Sequence, residues 1–460
     1  MQETIEAQSQ DRPVGARLGQ MLGMKALIIV VLGLLFLVPL EMVREVIVER
    51  HHRSQEVARE IADKWADRQQ VQGPFLVIPA ERVNPHSTTG EMQYRQTVLL
   101  PDAFSAQATV AAETRSRGIF DTVVFTTVVT LDGGFTAAGL QKAAFETDGW
   151  TLRPDQAVLA LGVSDLRGIQ GDLLANWNGK DLEAASGMPS GARLPSTGIQ
   201  WPLDLSGDGS AAGGTLSEGR LEVRFTLRGS GRLAFLPVGK SSNLEMLGDW
   251  PAPSFDGRAL PGERALSDDG FSARWSISHL SRPFPQSWTA AEWKGIDWNE
   301  LSVGASFVQP VDFYLLSERS VKYGVLVVAL LFLIYFLFEV LAGIVLHPLQ
   351  YLMIGAALVL FFLSLVSFAE VVGFAAAYAL SGALVVALVS LYTAAILGRW
   401  LWAVLLAAAV SALYGLLYVI LNQEEAALLS GTLVLFAALA ATMYATRRVD
   451  WFKFRPTPEA

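Results

Sequence analysis

The sequence predicts a polytopic α-helical membrane protein with six transmembrane helices, one N-terminal and five C-terminal, and a large inserted all-β periplasmic domain of antiparallel, sandwich-like type. Three observations support this fold class. Long apolar stretches lie towards both ends of the 460-residue chain, strand-like alternation fills the middle, and most charged residues are found there. Only 17% of all residues are charged, against about 25% in soluble domains, which indicates membrane-embedded segments.

Composition excludes several kinds of site. The chain has no cysteine, which removes disulfides, thiolate zinc sites, iron–sulfur clusters and thiol nucleophiles together. Its net charge of −9 argues against nucleic acid as a partner, because phosphate binding needs a basic surface. All of this net charge belongs to residues 41–320. We expect no cofactor.

The first membrane helix is predicted over residues 20–40, after a cytoplasmic tail of residues 1–19. Ala26 to Leu40 contains no charge, and Lys25 can extend its ammonium towards the interface. The alternative is a cleaved secretory signal, whose apolar core is usually about 7–15 residues long. No small-x-small cleavage site follows, so we favour an uncleaved signal anchor.

Five further spans are predicted within residues 321–446, followed by a cytoplasmic tail of residues 447–460. Short polar breaks at 347–348, 370, 398–399 and 422–425 separate them. Each stretch is long enough to cross a bilayer, which needs about 20 apolar residues. The predicted spans are Tyr323–Leu346, Gln350–Ala369, Val371–Leu397, Trp400–Leu421 and Ala426–Thr446.

The basic residues predict the orientation, because short cytoplasmic flanks are enriched in Lys and Arg. Both ends of the chain are basic, and with six spans both ends lie on the same side. The same threading places Arg399 inside and Glu370, Glu424 and Glu425 outside. We therefore expect both termini in the cytoplasm of a bacterial cell and residues 41–320 in the periplasm.

Residues 41–72 predict a charged juxtamembrane helix. Glu41 to Arg68 lacks Pro and Gly, and Glu49/Arg53 and Glu60/Lys64 are favourable i, i+4 pairs. An apolar stripe of period 3.6 accompanies them. We interpret the segment as a stalk that continues the first membrane helix.

Residues 73–320 predict the β-rich domain. Leu221 to Arg228 alternates apolar and polar side chains, and residues 229–231 predict a hairpin turn into Arg232–Leu236. Gly-containing turns are expected at Asp132-Gly133-Gly134, Asn178-Gly179, Asp256-Gly257 and Asp269-Gly270, and a loop at Ala184–Gly214. Further strands are predicted at Phe75–Ile78, Gln96–Leu100, Ala106–Thr114, Thr122–Leu131, Phe271–Ile277 and Leu301–Val308.

No catalytic motif is present. Gly239-Lys240-Ser241 resembles the end of a phosphate-binding loop, but Ala234 stands where that loop needs Gly, and Pro237 lacks a backbone N–H. The five histidines are scattered, and nothing suggests a metal site. We therefore expect a protein that is not an enzyme, although catalytic groups often meet only in the fold.

Glu339 is the strongest functional candidate. An acid in hydrocarbon costs about 2.5 kcal/mol or more, so it is normally paired, protonated or lining a polar cavity. The functional interpretation is a proton or solute path, and the structural one is a hydrogen bond to another helix. His347 is a candidate for the same polar pocket. Glu370 is expected to be solvated at an outer turn.

Several motifs resemble the family of the inner membrane protein CreD, the cell envelope integrity proteins. The match runs nearly end to end. In the C-terminal half it includes Glu318–Gly324, Phe338-Glu339, His347–Leu352, Ala369–Phe374, Leu413–Tyr418 and Met443–Trp451. In the middle domain it includes Arg117–Phe120, Ser164–Ile169, Phe235–Gly239 and Asp249–Phe255, with Phe120 where Tyr is expected. The resemblance implies an inner-membrane protein of envelope-stress responses, associated with tolerance to colicins and β-lactams. It assigns no reaction or catalytic residue.

The same motifs contain further candidates. Arg319 and Lys322 precede a membrane span, where long basic side chains can reach lipid headgroups. Tyr414 and Tyr418 lie one turn apart and could bond another helix's backbone or a lipid. The expected partners are the lipid bilayer and a periplasmic ligand or envelope protein, and the sequence leaves the oligomeric state open.

Three functional hypotheses follow. The leading one is a non-catalytic envelope-stress protein whose periplasmic domain binds or senses a ligand. The second is a transporter or lipid-handling protein with a polar path around Glu339. The third is a periplasmic enzyme that acts on the cell wall.

Overall fold

The computed structural model describes residues 14–86, 89–140, 149–206, 218–289, 297–307, 313–342, 346–397, 400–423 and 427–447. The chain divides into two compact units. Met1–Arg53 and Val311–Ala460 form the first, which we call the membrane unit, and Ser54–Pro310 forms the β unit. The predicted fold class, apolar helices at both ends and an antiparallel-rich β domain between them, is confirmed.

Eight α-helices have both ends within the described residues, and residues 137–140 begin a further helical segment. Five helices, the first of them taken continuously over Met24–Trp65, are long and apolar enough to cross a membrane, and a sixth span results if the bent pair Phe313–Lys322 and Gly324–Glu339 counts as a single span. The helices are α1 Val14–Leu35, α2 Leu37–Trp65, α3 Phe313–Lys322, α4 Gly324–Ala342, α5 Pro348–Val372, α6 Phe374–Leu397, α7 Trp400–Asn422 and α8 Ala427–Thr446.

Several helix boundaries differ from the prediction, and the first of these is at residues 20–40, where α1 ends at Leu35 and α2 begins at Leu37. The second span is preceded by α3, bent by 47° from α4 at Tyr323. The break between α5 and α6 falls at Gly373 instead of Glu370, because Gly373 adopts a φ of 78° that favours glycine. The stalk helix α2 ends at Trp65 and β1 begins at Gln69, so the boundary predicted at residue 72 is wrong. Arg399, Glu424 and Glu425 lie outside the described residues.

The β unit contains two sheets. In the first, the described strands are ordered β14-β18-β12-β1-β6-β10-β9, with β2 and β5 on β1 and β17 on β2. The second has the order β15-β16-β13-β3-β4-β11-β7-β8. The strands are β1 Gln69–Val83, β2 Met92–Leu99, β3 Ala103–Arg117, β4 Phe120–Phe135, β5 Thr151–Leu152, β6 Ala157–Val163, β7 Ile169–Trp177, β8 Lys180–Asp181, β9 Ala185–Ser186, β10 Gly198–Leu203, β11 Gly219–Ser230, β12 Arg232–Phe235, β13 Ser241–Gly248, β14 Ser254–Gly257, β15 Glu263–Ser267, β16 Gly270–Ser278, β17 Ser287–Thr289 and β18 Val303–Ser306.

One hydrophobic cluster draws side chains from both sheets. Phe75 of β1 packs edge-on against Trp288 and Trp298, at centroid distances of 6.4 and 5.7 Å. Phe125 of β4 packs against Phe307 at 5.3 Å. Burial of such rings removes apolar area from water at about 25 cal/mol per Å², so this cluster is the main source of the β unit's stability.

The predicted hairpin at residues 229–231 is wrong. β11 pairs with β4 and β7 in the second sheet, whereas β12 pairs with β1 and β18 in the first. Gly231, with a φ of 66°, lies where the chain passes from one sheet to the other. A local turn signal does not distinguish a hairpin from this crossing.

The turn predicted at Asp132-Gly133-Gly134 is also wrong, because these residues continue β4. Gly133 faces the other sheet, where a Cβ atom would lie 3.1 Å from Cγ of Pro74. The loop predicted over Ala184–Gly214 contains β9 and β10, and its residues 207–214 lie outside the described chain. Asn178-Gly179 does form a turn, with positive φ at both residues, between β7 and β8.

Strand β18 tests how tightly the first sheet is packed. A Cβ added at Gly304 would lie 2.1 Å from the carbonyl oxygen of Leu233 and 2.7 Å from Cα of Ala234. We expect Gly304→Ala to lower the free energy of unfolding of the β unit by about 1–3 kcal/mol, the usual cost of overpacking. Gly262→Ala is the matched control, because a Cβ there meets nothing within 4 Å. Urea unfolding followed by Trp fluorescence measures both, and equal effects would contradict the packing argument.

Candidate functional site

Glu339 lies inside α4, and the membrane unit surrounds its carboxylate with three donors. The residue is only 7% exposed. Lys25 of α1 forms an ion pair with its Oε1 atom. The backbone N–H of Leu346 donates to the same oxygen at 3.3 Å, and the Tyr351 hydroxyl donates to Oε2 at 3.0 Å. Both carboxylate oxygens are therefore hydrogen-bonded within the helix bundle.

Tyr351 continues the polar cluster into an aromatic one. Its buried ring packs against Phe332 and Tyr335, at centroid distances of 5.7 and 6.3 Å. The Tyr335 hydroxyl donates to Thr393 Oγ1 at 2.9 Å, since the Thr393 proton goes to the Val389 carbonyl at 2.7 Å. The cluster thus connects side chains of α1, α4, α5 and α6.

The structural interpretation of Glu339, a bond to another helix, describes this geometry. An uncompensated ion in a low-dielectric interior is costly, and an opposite charge with additional hydrogen bonds offsets that cost. A proton or solute path through Glu339 stays a prediction.

His347 does not share the Glu339 pocket, so that prediction is wrong. The residue is exposed and precedes the first turn of α5. Its Nδ1 atom accepts the N–H of Leu349 at 3.2 Å, and its own N–H donates to Gln350 Oε1 at 2.9 Å. This reciprocal capping engages the imidazole at the helix start, and no hydrogen bond joins it to Glu339 among the described residues.

Glu370 is not solvated as predicted. Because α5 continues to Val372, Glu370 lies in its last turn, with a side chain that is 9% exposed. The Tyr314 hydroxyl donates to its Oε1 at 3.1 Å, and Arg50 Nε lies 3.8 Å from the same atom. The His51 ring packs on Tyr314 at a centroid distance of 5.6 Å. Glu370 is thus a second compensated acid of the membrane unit.

Tyr414 and Tyr418 belong to an aromatic cluster on α7. Tyr414 is 4% exposed and lies 4.5 Å from the ring of Phe361, while Tyr418 lies 5.1 Å from the ring of Tyr378. The interhelical hydrogen bond has the opposite direction to the predicted one, because the Tyr378 hydroxyl donates to the backbone carbonyl of Tyr414 at 2.7 Å. The Tyr414 hydroxyl has no partner among the described residues.

Tyr414 also lines a groove between α6 and α7 with a volume of about 710 Å³. Small residues form much of its wall, including Ala383, Ala387 and Ala407. Ser390, whose buried Oγ also lacks a partner in the described structure, lies along it. The groove is apolar and has two unsatisfied hydroxyls.

The two candidates for lipid headgroup contacts lie on α3. Lys322 is exposed, and its Nζ atom lies 3.1 Å from Glu318 Oε1. Arg44 Nε approaches the same carboxylate oxygen at 3.4 Å. Arg319 is half-buried on the same helix. Among the described residues, no three His, Asp or Glu side chains converge as a metal ion requires.

Comparison with known proteins identifies the family. The family model of the inner membrane protein CreD matches residues 21–452. The chain belongs to the CreD family. It is also 30% identical over 427 residues to the inner membrane protein CreD of Escherichia coli strain K12, and the alignment covers 92% of each chain. The predicted membership of the CreD family is confirmed, and so is the prediction that this is an inner-membrane protein.

One CreD-like motif, Ser164–Ile169, lies in the β unit where α2 ends. Asp165 accepts the backbone N–H of Asp67 at 3.0 Å and the side chain of Arg167 at 2.8 Å. Arg167 Nη1 donates at 2.6 Å to the carbonyl oxygen of Asp63 in α2. Gly168 has no room for a side chain, since a Cβ would lie 2.3 Å from the Arg228 carbonyl oxygen. The motif therefore fixes the last turn of α2 to the strands.

Trp65 completes this anchor. The guanidinium groups of Arg115 and Arg228 lie 4.0 and 4.3 Å from its ring centroids. The indole N–H donates to the Phe125 carbonyl oxygen at 3.4 Å. The sequence indicates no contact for Trp65 beyond the apolar stripe of α2, and Lys25 is predicted to be interfacial, so both contacts were missed. One signal could have predicted the Lys25 contact. Lys25 and Glu339 are a basic and an acidic residue that each lie within a long apolar stretch, so they are natural partners for one another.

The Lys25–Glu339 pair predicts strong coupling between the two residues. Removing one partner of a buried pair costs about 3–5 kcal/mol, because the other charge is left uncompensated. We expect Lys25→Met and Glu339→Gln each to lower stability by about this amount, and the double variant by clearly less than the sum. Thermal unfolding in detergent measures the cycle. Lys322→Met with Glu318→Gln is the control, because Lys322 is 58% exposed and its pair is worth about 0–1 kcal/mol. Additive effects of Lys25→Met and Glu339→Gln on stability would contradict the predicted coupling between the two residues.

The Asp165 anchor predicts a pH dependence. The hydrogen bonds from Arg167 hold the pKa of the Asp165 carboxyl below its ordinary value. The resulting stability is present above the unfolded pKa of about 3.9 and is lost as the pH falls through the lower folded value. We expect Asp165→Asn to cost about 1–3 kcal/mol at pH 7 and less at pH 3. Urea unfolding of the full chain at both pH values measures this, and a cost independent of pH would contradict it.

Proposed function

We propose that this CreD-family protein is a non-catalytic component of envelope integrity. In this proposal the β unit lies in the periplasm, binds or senses a ligand there, and transmits the bound state to the membrane unit through α2. Both termini lie in the cytoplasm. The basic residues that flank the first and last spans support this orientation, because short cytoplasmic flanks are enriched in Lys and Arg.

The observation that carries the proposal is how α2 is held. Its first part belongs to the membrane unit, where Arg44 contacts Glu318 and Arg50 contacts Glu370. Its last part belongs to the β unit, where the Asp165 and Trp65 contacts fix it. A helix whose two parts are each anchored by charged side chains is suited to transmit a displacement. We therefore propose α2 as the coupling element.

A proline substitution in α2 tests the coupling. His52 is exposed in the helix interior, and proline there removes a backbone hydrogen bond and costs about 3 kcal/mol or more. In cells that lack their own copy, we expect His52→Pro to abolish tolerance to a β-lactam while the protein remains folded in the membrane. His52→Ala is the matched control and keeps tolerance. Full tolerance with His52→Pro, or hydrolysis of a cell-wall or lipid substrate by the purified protein, would contradict the proposal.

The lack of native cysteine makes the orientation directly testable. Leu280, 85% exposed in the β unit, and Arg447 near the last helix are suitable positions. In cells with a permeabilised outer membrane, we expect a membrane-impermeant maleimide to label Leu280→Cys and to leave Arg447→Cys unlabelled until the inner membrane is lysed. The reverse labelling would overturn the proposed topology.

The groove between α6 and α7 favours lipid handling as a second candidate function. Its volume and its two unsatisfied hydroxyls, from Ser390 and Tyr414, suit an acyl chain with a polar group. Glu339 does not line it, so this candidate differs from a polar path at Glu339. Photo-crosslinking of a diazirine-bearing lipid to the α6–α7 segment tests it, and Ala383→Phe, which fills the groove, should abolish that crosslink. Crosslinking unaffected by Ala383→Phe would contradict the candidate.

A further inference from the structure

A cavity of about 480 Å³ lies in the β unit, beside the end of β16. Its volume falls within the range of about 300–1,000 Å³ that is usual for small-molecule sites. Apolar side chains form most of its wall, among them Pro237, Ile277, Phe284 and Leu301. The polar lining consists of Arg258, Ser281 and Arg282. Among the described residues, the cavity lining is thus mostly apolar, with two cationic groups and no acid.

Arg282 carries a charge that no carboxylate of the described residues compensates. Its Nη atoms donate to the Val238 carbonyl oxygen and to Gln286 Oε1, which are both neutral acceptors. Its buried Nε atom has no partner among the described residues. The guanidinium carbon lies 4.5 Å from the ring centroid of Phe284. Burial lowers the pKa of Arg282 to about 10, and no carboxylate opposes this effect.

Arg258 adds a second cation at the same cavity. Its backbone N–H donates to the Ser302 carbonyl oxygen at 3.1 Å, and its Nε donates to the Ser281 carbonyl oxygen at 3.3 Å. Asp256, two residues earlier, is engaged by Arg232 at 2.8 Å and by Ser306 at 2.5 Å. Across the described residues, no carboxylate forms an ion pair with Arg258 or Arg282.

We infer that this cavity binds an amphiphilic anion, with a phosphate or carboxylate headgroup on Arg258 and Arg282 and an apolar chain against Phe284 and Leu301. A partly buried charge such as that of Arg282 is normally paired, and guanidinium groups match the planar geometry of carboxylate and phosphate. The apolar wall distinguishes this ligand class from a free inorganic anion. The inference rests on the proposed binding role of the β unit and names its site and ligand class.

Calorimetric titration of the full chain in phosphatidylcholine nanodiscs with octyl phosphate tests the inference. We expect binding of octyl phosphate and none of octanol or inorganic phosphate, because head and chain are both required. Arg258→Gln should weaken binding about tenfold or more, as loss of a hydrogen bond to a charged group does. Arg264→Gln, at an exposed position on β15, is the matched control and should bind like the unsubstituted chain.

Two further measurements separate a binding site from a merely structural arginine. Arg282 also bonds Val238 and Gln286, so Arg282→Gln could unfold its segment. Ala259→Phe leaves both arginines in place and fills the cavity, and it should abolish binding while the unfolding midpoint is retained. In phosphatidylglycerol nanodiscs, weaker apparent binding identifies the bilayer lipid as the natural source, and unchanged binding identifies a free amphiphile.

Equal binding of octanol, binding of inorganic phosphate alone, or binding unaffected by Arg258→Gln and Ala259→Phe would overturn the inference. The proposed function is tested separately, by the effect of His52→Pro on stress tolerance. If octyl phosphate does not bind but His52→Pro abolishes tolerance, the site is wrong and the coupling role stands. If octyl phosphate binds and His52→Pro is tolerated, the site stands without that role.

Discussion

Compensation of charge inside hydrocarbon is the constraint on which the membrane unit depends. Lys25 and Glu339 are separated by 314 positions in sequence, and each interrupts a long apolar stretch. Their pairing fixes α1 against α4, and Tyr351 adds α5 through the second carboxylate oxygen. Side chains also pack closely between the same helices. Phe36 packs on Phe332, and its ring occupies the space that a Cβ of Gly355 would need. Separating the helices would leave each buried charge uncompensated. The ion pair therefore stabilises the same helix arrangement as the packing does.

The same principle operates at the β unit's end of α2, in a more polar setting. Asp165 is 12% exposed at its side chain and accepts bonds from two backbone N–H groups as well as from Arg167. Trp65 is held between two guanidinium groups, which combine an apolar contact with cation–π attraction. Neither contact needs a deep core. Both hold the helix end through hydrogen bonds and cation–π contacts in addition to its buried apolar residues.

Hydropathy and alternation predicted the elements, because spanning length and side-chain period are local properties of a sequence. Partners in space were not predictable from the same signals. The residues around Gly231 have the composition of a hairpin turn, yet β11 and β12 enter different sheets. Gly133 does not form a turn. It lies in a strand where Pro74 of the other sheet leaves little room for a Cβ atom. Glu339 was found as a site because an acid in an apolar helix is locally anomalous. Its partner Lys25 was not, since a lysine near a membrane end has an ordinary explanation.

The arginines of the β unit differ in how their charges are compensated. Arg153 contacts Glu81 and Asp155, and Arg274 contacts Glu245 and Glu263, so opposite charges neutralise each guanidinium at the surface. Arg282 is desolvated by burial more than either, and it bonds only neutral oxygens. Folding alone would favour the reverse arrangement, because compensation matters most where water is least available. A site that keeps its positive charge exposed to a cavity, and surrounds it with apolar walls, is selective for ligands that supply both an anion and a hydrocarbon chain.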